Sequence, residues 1–332
     1  MPRASLHKIG TYRRMGLQPS EMQSRMSKTA DMIVLCHLGV PMLDPGTWTL
    51  TIEGMVRKPR CFMLDELRRM PQTTITALHQ CAGNPLEPQI PTQRICNVTW
   101  TGVSLASILG ECEVDAAASF VWSFGADHGS FAGVDVETYV KDLPIARLAE
   151  DVLIAFEVNG EALPLEHGFP ARLVVPGFYG TNSVKWLTKI VLADRRALGP
   201  FTTHWYNDPV DGKDGQSTGD KEPVWRIAPQ SIIVVPGPEG SARAGAATDV
   251  WGWAWADGGV CHVEVSTDGG RRWRPANLEQ AQGRGWQKFA YTWTPEMRGS
   301  HSVQSRARSR DGSVQPVSGK RNAIYSVSIT VV

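Results

Sequence analysis

The pattern of apolar residues changes across the polar segment 207–224, and this change constrains the fold more than any other feature of the sequence. The segment is rich in Gly and Asp and can bury little apolar surface, which indicates a linker or loop. Beyond it, 251–255, 262–266 and 286–293 alternate with period two and are separated by Gly-rich turns. This spacing predicts a β-sandwich over 225–332. Seven of the twelve tryptophans lie there, and we expect their large rings to fill its core.

The chain before the linker mixes short helices with strands. One helix is predicted over 64–70, because Pro71 follows it, and another near 105–109, while the β-branched run 73–78 predicts a strand. The order of these elements lacks the regular βαβα alternation of a doubly wound sheet. It predicts an α+β domain over 46–206, preceded by a polar extension, 1–45.

Charge and hydropathy exclude several classes of function. The 34 basic and 33 acidic residues give a net charge of +1, without the basic excess that nucleic-acid binding needs. No apolar run approaches the roughly 20 residues that cross a bilayer, so no membrane association is expected. Arg13 and Arg14 lack the apolar stretch of an export signal after them, which predicts a cytoplasmic protein. A periplasmic location stays open if a leader was removed.

The six cysteines form neither a CxxC pair nor a haem-attachment site, and they are too few for a disulfide framework. Cys81 stands out because it follows the strand at 73–78 and precedes a Gly turn, in the sequence HQCAGN. From its chemistry alone this thiol is a nucleophile, a ligand for a soft metal or a packed core group.

HQCAGN is followed about 20 residues later by a Trp-x-Gly element at 100–102, and three further segments come in order at 153–160, 167–177 and 183–187. Together these segments resemble the sulfite oxidase family of molybdenum enzymes over most of residues 33–200. The Trp-rich C-terminal part resembles the immunoglobulin-like dimerisation domain of that family. The resemblance implies a molybdopterin-binding catalytic domain followed by an immunoglobulin-like β-sandwich that forms a homodimer.

The resemblance also implies roles for particular residues. Cys81 matches the single thiolate that binds molybdenum, one metal per chain, beside the dithiolene of molybdopterin. A soft thiolate suits such a metal, and a pterin phosphate needs cations and fixed donors around it. The residues that match cofactor contacts, or lie beside them, are His37, Cys36, Asp127, His167, Arg172, Ser183, Val184 and Lys185. Tyr206 and His204 stand near the position of the pocket tyrosine and are candidates to line the entrance.

This chain departs from the family where the anionic substrate is held. Leu35 stands where the family has an arginine, Cys36 where it usually has Asn, and 85–86 read Pro-Leu where two arginines usually follow the CAGN turn. Loss of an arginine removes a charge and a bidentate donor, at roughly 1.5–3 kcal/mol for each contact. The pattern favours a neutral or weakly charged substrate, such as a sulfoxide or another S- or N-oxide.

The leading hypothesis is therefore a two-electron, oxygen-atom-transferring molybdenum oxidoreductase that acts on a small molecule. No haem motif is present, so electrons would pass to or from a separate protein or a diffusible acceptor. Three alternatives stay open: a true sulfite oxidase with displaced anion-binding residues, a cofactor-binding or scaffold protein without turnover, and a two-domain binding protein without a cofactor.

Overall fold

The computed structural model describes residues 12–83, 92–149, 151–211 and 217–332, and the chain divides into two compact units. The first unit is composed of Met1–Arg14, Val34–Ile75 and Thr99–Trp225. The second unit is composed of Met15–Ile33, Thr76–Val98 and Arg226–Val332. Cys81 thus lies in the second unit, together with the segment predicted as a sandwich.

The elements alternate irregularly along the chain. Two α-helices are described, α1 (Leu64–Arg69) and α2 (Leu105–Cys112). The strands are β1 (Tyr12–Arg14), β2 (Val34–Cys36), β3 (Thr49–Gly54), β4 (Arg60–Met63), β5 (Thr73–Gln80), β6 (Ile95–Ser104), β7 (Phe120–Gly125), β8 (Gly129–Phe131), β9 (Val134–Val136), β10 (Val140–Pro144), β11 (Leu153–Val158), β12 (Glu161–Ala162), β13 (Arg172–Val174), β14 (Leu187–Ala193), β15 (Asn207–Asp211), β16 (Ser217–Pro223), β17 (Gln230–Val235), β18 (Gly240–Ala242), β19 (Thr248–Trp255), β20 (Val260–Ser266), β21 (Arg274–Pro275), β22 (Asn277–Leu278), β23 (Gln287–Trp293), β24 (Gly299–Ser309) and β25 (Ser326–Val331).

Two sheets dominate the first unit. One has the strand order β10-β7-β14-β3-β4, in which β14 and β3 run parallel, and the other has the order β12-β11-β6-β5, with β13 also paired to β11. Apolar side chains of both sheets and both helices form one core, which includes Leu50, Ile108, Ile154 and Ile190. Strands β5 and β6 each continue from one unit into the other along the chain.

Both helices match the sequence prediction, but they are short. The backbone N–H of Met63 donates to the Glu66 carboxylate and caps α1, whose Asp65 and Glu66 suit the helix N-terminus. The left-handed residue Glu113 ends α2. At six and eight residues, the helices are the minor part of the α+β class expected here. No helix in the described ranges is both long and apolar enough to span a bilayer.

The second unit contains the predicted sandwich. Its sheets have the strand orders β17-β19-β23-β22 and β18-β25-β24-β20-β21. Val250 and Phe289 of the first sheet pack with Val263 and Val303 of the second in one core. The alternation read from the sequence therefore places one face of each sheet inside the sandwich.

Most of the tryptophans do not fill this core, so that part of the expectation is wrong. Successive side chains of a strand point to opposite faces, and because Val250 and Ala254 face the core, Trp253 faces away from it. Trp253 is nevertheless buried, because its Nε1 donates to the Met22 carbonyl over 2.7 Å and its ring stacks on Trp286. The segment Met15–Ile33 thus covers the outer face of the first sheet.

The segment 207–224 is more regular than the loop expected from its composition. Asn207–Asp211 and Ser217–Pro223 pair as an antiparallel hairpin, and residues 218–222 of it are exposed. Backbone pairing alone satisfies the polar groups of such a hairpin, so the sequence needs no apolar alternation there.

Candidate functional site

Cys81 stands directly after β5, at the start of a tight turn. Its backbone N–H donates to the Arg94 carbonyl over 2.9 Å, and the N–H of Gly83 donates to its Sγ over 3.3 Å. The Arg94 guanidinium also hydrogen-bonds to the thiol. A Cβ on Gly83 would collide with Nη1 of Arg94, so only glycine leaves room for this guanidinium. The sulfur is therefore surrounded by groups that donate hydrogen bonds.

A second guanidinium, that of Arg321, lies near the same thiol. Its Nε donates to the Ala82 carbonyl over 2.7 Å. Burial raises the pKa of the Cys81 thiol, while the Gly83 N–H and the charges of Arg94 and Arg321 oppose that rise. Positive charge and N–H donors stabilise a thiolate, which is the form that binds a metal. Arg94 and Arg321 carry no motif that the sequence analysis could identify, because only the fold brings them to Cys81.

Gln80, the residue before Cys81, anchors the loop in a buried polar network. Its Nε2 donates to Oδ1 of Asn322 over 2.6 Å and to Oε1 of Gln230 over 3.1 Å, and its Oε1 accepts from Nε1 of Trp255 over 2.9 Å. Gln230 in turn donates to Thr92 over 2.7 Å. Because these side chains are all buried and mutually satisfied, the network fixes one position for the end of β5.

The first unit contains the residues that match cofactor contacts, beginning with His37. Its Nε2 lies 2.8 Å from the Tyr206 hydroxyl, and its ring packs edge-on to Phe131 at 4.7 Å between centroids. Burial and the charge of Lys185 lower the pKa of His37 to about 4. The imidazole is therefore neutral near pH 7, and one of its nitrogens can accept a hydrogen bond.

Lys185 holds two segments of the first unit together. Its ammonium donates to the carbonyls of Leu35 and Glu166, at 3.0 and 2.9 Å, and to the Sγ of Cys36, at 2.9 Å. These acceptors use all three N–H groups of the side chain. The lysine thereby fixes the residue before His37 and the residue before His167, and its charge remains as a positive field in the same region.

The Arg172 guanidinium also donates its hydrogen bonds to backbone carbonyls. It is 2% exposed, and it donates to the carbonyls of His167 and Ser183 at 3.0 and 2.9 Å. The opposite side of His167 meets Arg14 of β1, whose Nη2 lies 3.4 Å from Nε2 of His167. A guanidinium can only donate, so this Nε2 accepts and the imidazole proton is on Nδ1. Arg14 is not among the site residues predicted from the sequence, since its position beside His167 depends on the pairing of β1 with β2.

Ser183 and Val184 make internal contacts. The Ser183 hydroxyl accepts from the Val175 N–H over 3.0 Å, and the Val184 side chain packs in the apolar core. Both residues follow the turn Gly180–Asn182 and shape the segment that carries Lys185.

Asp127 is a buried carboxyl. Burial raises its pKa to about 6, although the charge of Lys185 opposes this rise. The lack of a side chain at Gly125 makes room for it, because a Cβ there would collide with Oδ1 of Asp127. An ionised carboxylate is costly in this position, so a donor from a bound molecule would stabilise it.

Two candidates remain, Cys36 and His204. Cys36 is buried and its Sγ accepts from the Lys185 ammonium. His204 is exposed, and its ring packs edge-on to Trp205 at 5.5 Å between centroids. The substitutions noted at 85–86 fall outside the described residues.

Comparison with known proteins identifies the two parts of the chain. Residues 37–201 match the oxidoreductase molybdopterin binding domain, and residues 221–328 match the Mo-co oxidoreductase dimerisation domain. The chain belongs to the sulfite oxidase family of molybdopterin oxidoreductases. The resemblance seen in the sequence is thereby confirmed.

Relatives within the sulfite oxidase family are distant from this chain. The human mitochondrial sulfite oxidase is 33% identical over 273 residues, which are 77% of this chain and 50% of that protein. The chicken sulfite oxidase is 30% identical over 307 residues, or 84% of this chain and 66% of that protein. The sulfane dehydrogenase SoxCD of Paracoccus pantotrophus superposes with a TM-score of 0.78 at 29% identity, covering 93% of this chain and 82% of that one. The chain thus spans about half to two thirds of the curated relatives.

The residues present fit the cofactor of the sulfite oxidase family. The Cys81 loop offers one sulfur ligand, and an N–H and two guanidinium groups oppose the burial that raises its pKa. The first unit offers the charges of Arg172, Lys185 and Arg14 around His167, which suit a phosphate.

Proposed function

We propose that this chain is a molybdenum-cofactor oxidoreductase that moves an oxygen atom in a two-electron reaction, with Cys81 as the protein ligand of the metal. The observation that carries the proposal is the environment of Cys81, where burial raises the pKa of the thiol but the Gly83 N–H and two guanidinium groups lie ready to stabilise a metal-bound thiolate. When bound, the cofactor supplies the oxygen-atom and electron transfer, and the protein orients it and tunes its surroundings.

The residues of the first unit would have complementary roles. Arg172, Lys185 and Arg14 would balance the charge of a pterin phosphate, chiefly as a field, because most of their N–H groups already bind the chain. Tyr206 would be the acid or base, with the neutral His37 as its hydrogen-bond partner at 2.8 Å. The exposed position of His204 supports a place at the entrance.

Metal analysis of purified protein, with Cys81→Ser beside it, tests the assignment. We expect about one molybdenum per wild-type chain, and loss of metal and turnover in the variant. Cys61→Ser is the matched control, because Cys61 is exposed on β4. Full metal content and turnover in Cys81→Ser would overturn the proposal. Molybdenum in the wild-type chain without any turnover would favour a cofactor-binding protein that is not an enzyme.

Two substrate classes each have an observation in their favour. Leu35, at a position of arginine in the family, favours a neutral or weakly charged substrate such as a sulfoxide. Arg94 and Arg321 beside Cys81 favour an oxyanion such as sulfite, with the anion-binding groups displaced along the chain. Turnover of metal-replete protein with sulfite and with a panel of sulfoxides, using an artificial electron dye, decides between them.

Assembly and electron transfer complete the proposal. The sandwich at 225–332 would be immunoglobulin-like and would pair two chains, which sedimentation of the intact protein tests. Electrons would pass to a separate protein or a diffusible acceptor. The absence of haem and the cytoplasmic location stay predictions.

A further inference from the structure

Lys141 is a buried lysine of the first unit. It lies on β10 and is 1% exposed, and burial lowers its pKa to about 8. Its ammonium donates to the Phe201 carbonyl over 3.0 Å. A buried ammonium is costly unless it interacts strongly with its surroundings, so its position needs an explanation.

The ammonium of Lys141 lies over the face of Tyr206. Its Nζ is 5.4 Å from the centroid of the ring, within the range of a cation–π contact. The hydroxyl of the same ring lies 2.8 Å from Nε2 of His37. Tyr206 also adopts the left-handed backbone conformation, with φ of +58°, so the surrounding structure holds it against its local preference.

The next residue of β10 holds the same segment from the other side. The Asp142 carboxylate accepts two hydrogen bonds from Arg196, at 2.9 and 3.0 Å. Asn207 donates to the carbonyls of Thr202 and Trp205, both at 3.0 Å. Arg196 also donates to the Thr202 carbonyl over 3.3 Å, so β10 supports the segment that carries Tyr206.

We propose that Lys141 is a positioning residue for Tyr206, whose ammonium orients the phenol toward His37 and stabilises negative charge on its oxygen. This inference rests on the proposed function in one respect, the assignment of Tyr206 as acid or base. A cation over the ring interacts with its negative face, and it favours negative charge on the phenol oxygen. The neutral His37 lies within hydrogen-bond distance of that oxygen and fixes its direction, and no proton is transferred to His37.

Other charged groups act on this arrangement and must be held constant. Asp142 and Arg196 lie on the side of Lys141, and Lys185 acts on His37. Asp142 raises the pKa of Lys141, whereas burial and Arg196 lower it. Variants that test the inference must therefore change Lys141 alone.

The test is a tyrosinate absorbance titration of the intact protein, in which the signal of Tyr206 is obtained by difference from Tyr206→Phe. Lys141 loses its charge near pH 8, below the range in which a phenol ionises, so the comparison is made between Lys141→Arg, which stays charged, and Lys141→Met. We expect the midpoint of Tyr206 ionisation to lie about 0.5–1.5 pH units higher in Lys141→Met than in Lys141→Arg, the size of a cation–π contact. Lys288→Met is the control, since Lys288 covers Trp251 in the other unit and should leave the midpoint unchanged.

Equal Tyr206 midpoints in Lys141→Met and Lys141→Arg would overturn the inference. If Lys141→Met does not fold, Lys141→Gln takes its place, and the alkaline limb of the pH profile of turnover is measured as well. An alkaline limb at the same pH in Lys141→Gln and Lys141→Arg would also overturn the inference. The titration needs neither metal nor turnover, so a failed enzyme assignment would leave its result intact. Conversely, if the protein turns over as a molybdenum enzyme but the midpoint of Tyr206 ionisation does not move, the proposed function stands and Lys141 does not position Tyr206.

Discussion

Gln80 and Asn322 are separated by 242 residues in sequence, yet the Nε2 of Gln80 donates to the Oδ1 of Asn322 over 2.6 Å. Asn322 also donates to the Ala228 carbonyl over 2.7 Å, so both side chains are committed in a fully buried place. The contact ties the residue before Cys81 to the C-terminal sandwich. The segment matched as a dimerisation domain therefore also supports the proposed metal ligand.

Gln80→Leu should destabilise the second unit by about 2–5 kcal/mol, because it removes the buried hydrogen bonds that Gln80 makes with Oδ1 of Asn322 and Nε1 of Trp255. Urea unfolding measures the loss. Gln72→Leu is the control, since Gln72 is exposed and donates to the Arg68 carbonyl within its own turn of the chain. Equal stability of the two variants would show that the network does not hold the loop.

Asp127 predicts a dependence of stability on pH. The folded-state pKa of Asp127, about 6, lies above the ordinary value of 3.8. The contribution of its protonated carboxyl to the free energy of unfolding is therefore fully present below pH 4 and is lost as the pH rises through 6. Asp127→Asn should therefore be more stable than wild type by about 3 kcal/mol at pH 7, and no more stable near pH 3.5. Denaturant unfolding of cofactor-free protein at the two pH values measures this. A gain of the same size at both pH values would assign the effect to packing instead of charge.

Cys36 predicts a difference between two substitutions of similar size. Its sulfur accepts from the Lys185 ammonium over 2.9 Å in a buried place, and asparagine also offers an acceptor there, whereas valine does not. We expect Cys36→Val to lose about 1–3 kcal/mol and to retain less molybdenum, and Cys36→Asn to stay close to wild type. Thermal unfolding and metal content together measure both effects, and Cys112→Val, in the core at α2, is the control for loss of a buried thiol.

The sequence identified those parts of the molecule that depend on local pattern. The alternation at 251–255 predicted β19, and the β-branched run before Cys81 predicted β5, because strand periodicity depends only on residues that are neighbours in the sequence. The same alternation misplaced Trp253, since period two gives the faces of a strand but not which face another segment covers. Met15–Ile33 covers that face, and nothing local in the sequence indicates it.

The charges around the candidate site show the same limit. Leu35 and 85–86 suggested a less basic pocket, because the arginines expected by position are missing there. Arg94 and Arg321 supply positive charge to Cys81 from other places in the chain, and only the folded backbone brings them to it. Counting the arginines that are missing at matched positions therefore underestimates the positive charge that the folded chain brings to Cys81.

Arg94 provides the sharpest test of the substrate class. Arg94→Leu removes the guanidinium beside Cys81, and Gly83→Ala displaces it, because the added Cβ meets the flexible end of the Arg94 side chain and not the backbone. If the substrate is an oxyanion, both variants should raise KM for sulfite by about tenfold, the effect of one lost charge-assisted hydrogen bond. Lys58→Leu, an exposed charge on the first unit, is the control for net charge. Steady-state kinetics at fixed ionic strength measures the change, and an unaltered KM in both variants would leave the weakly charged substrates as the remaining class.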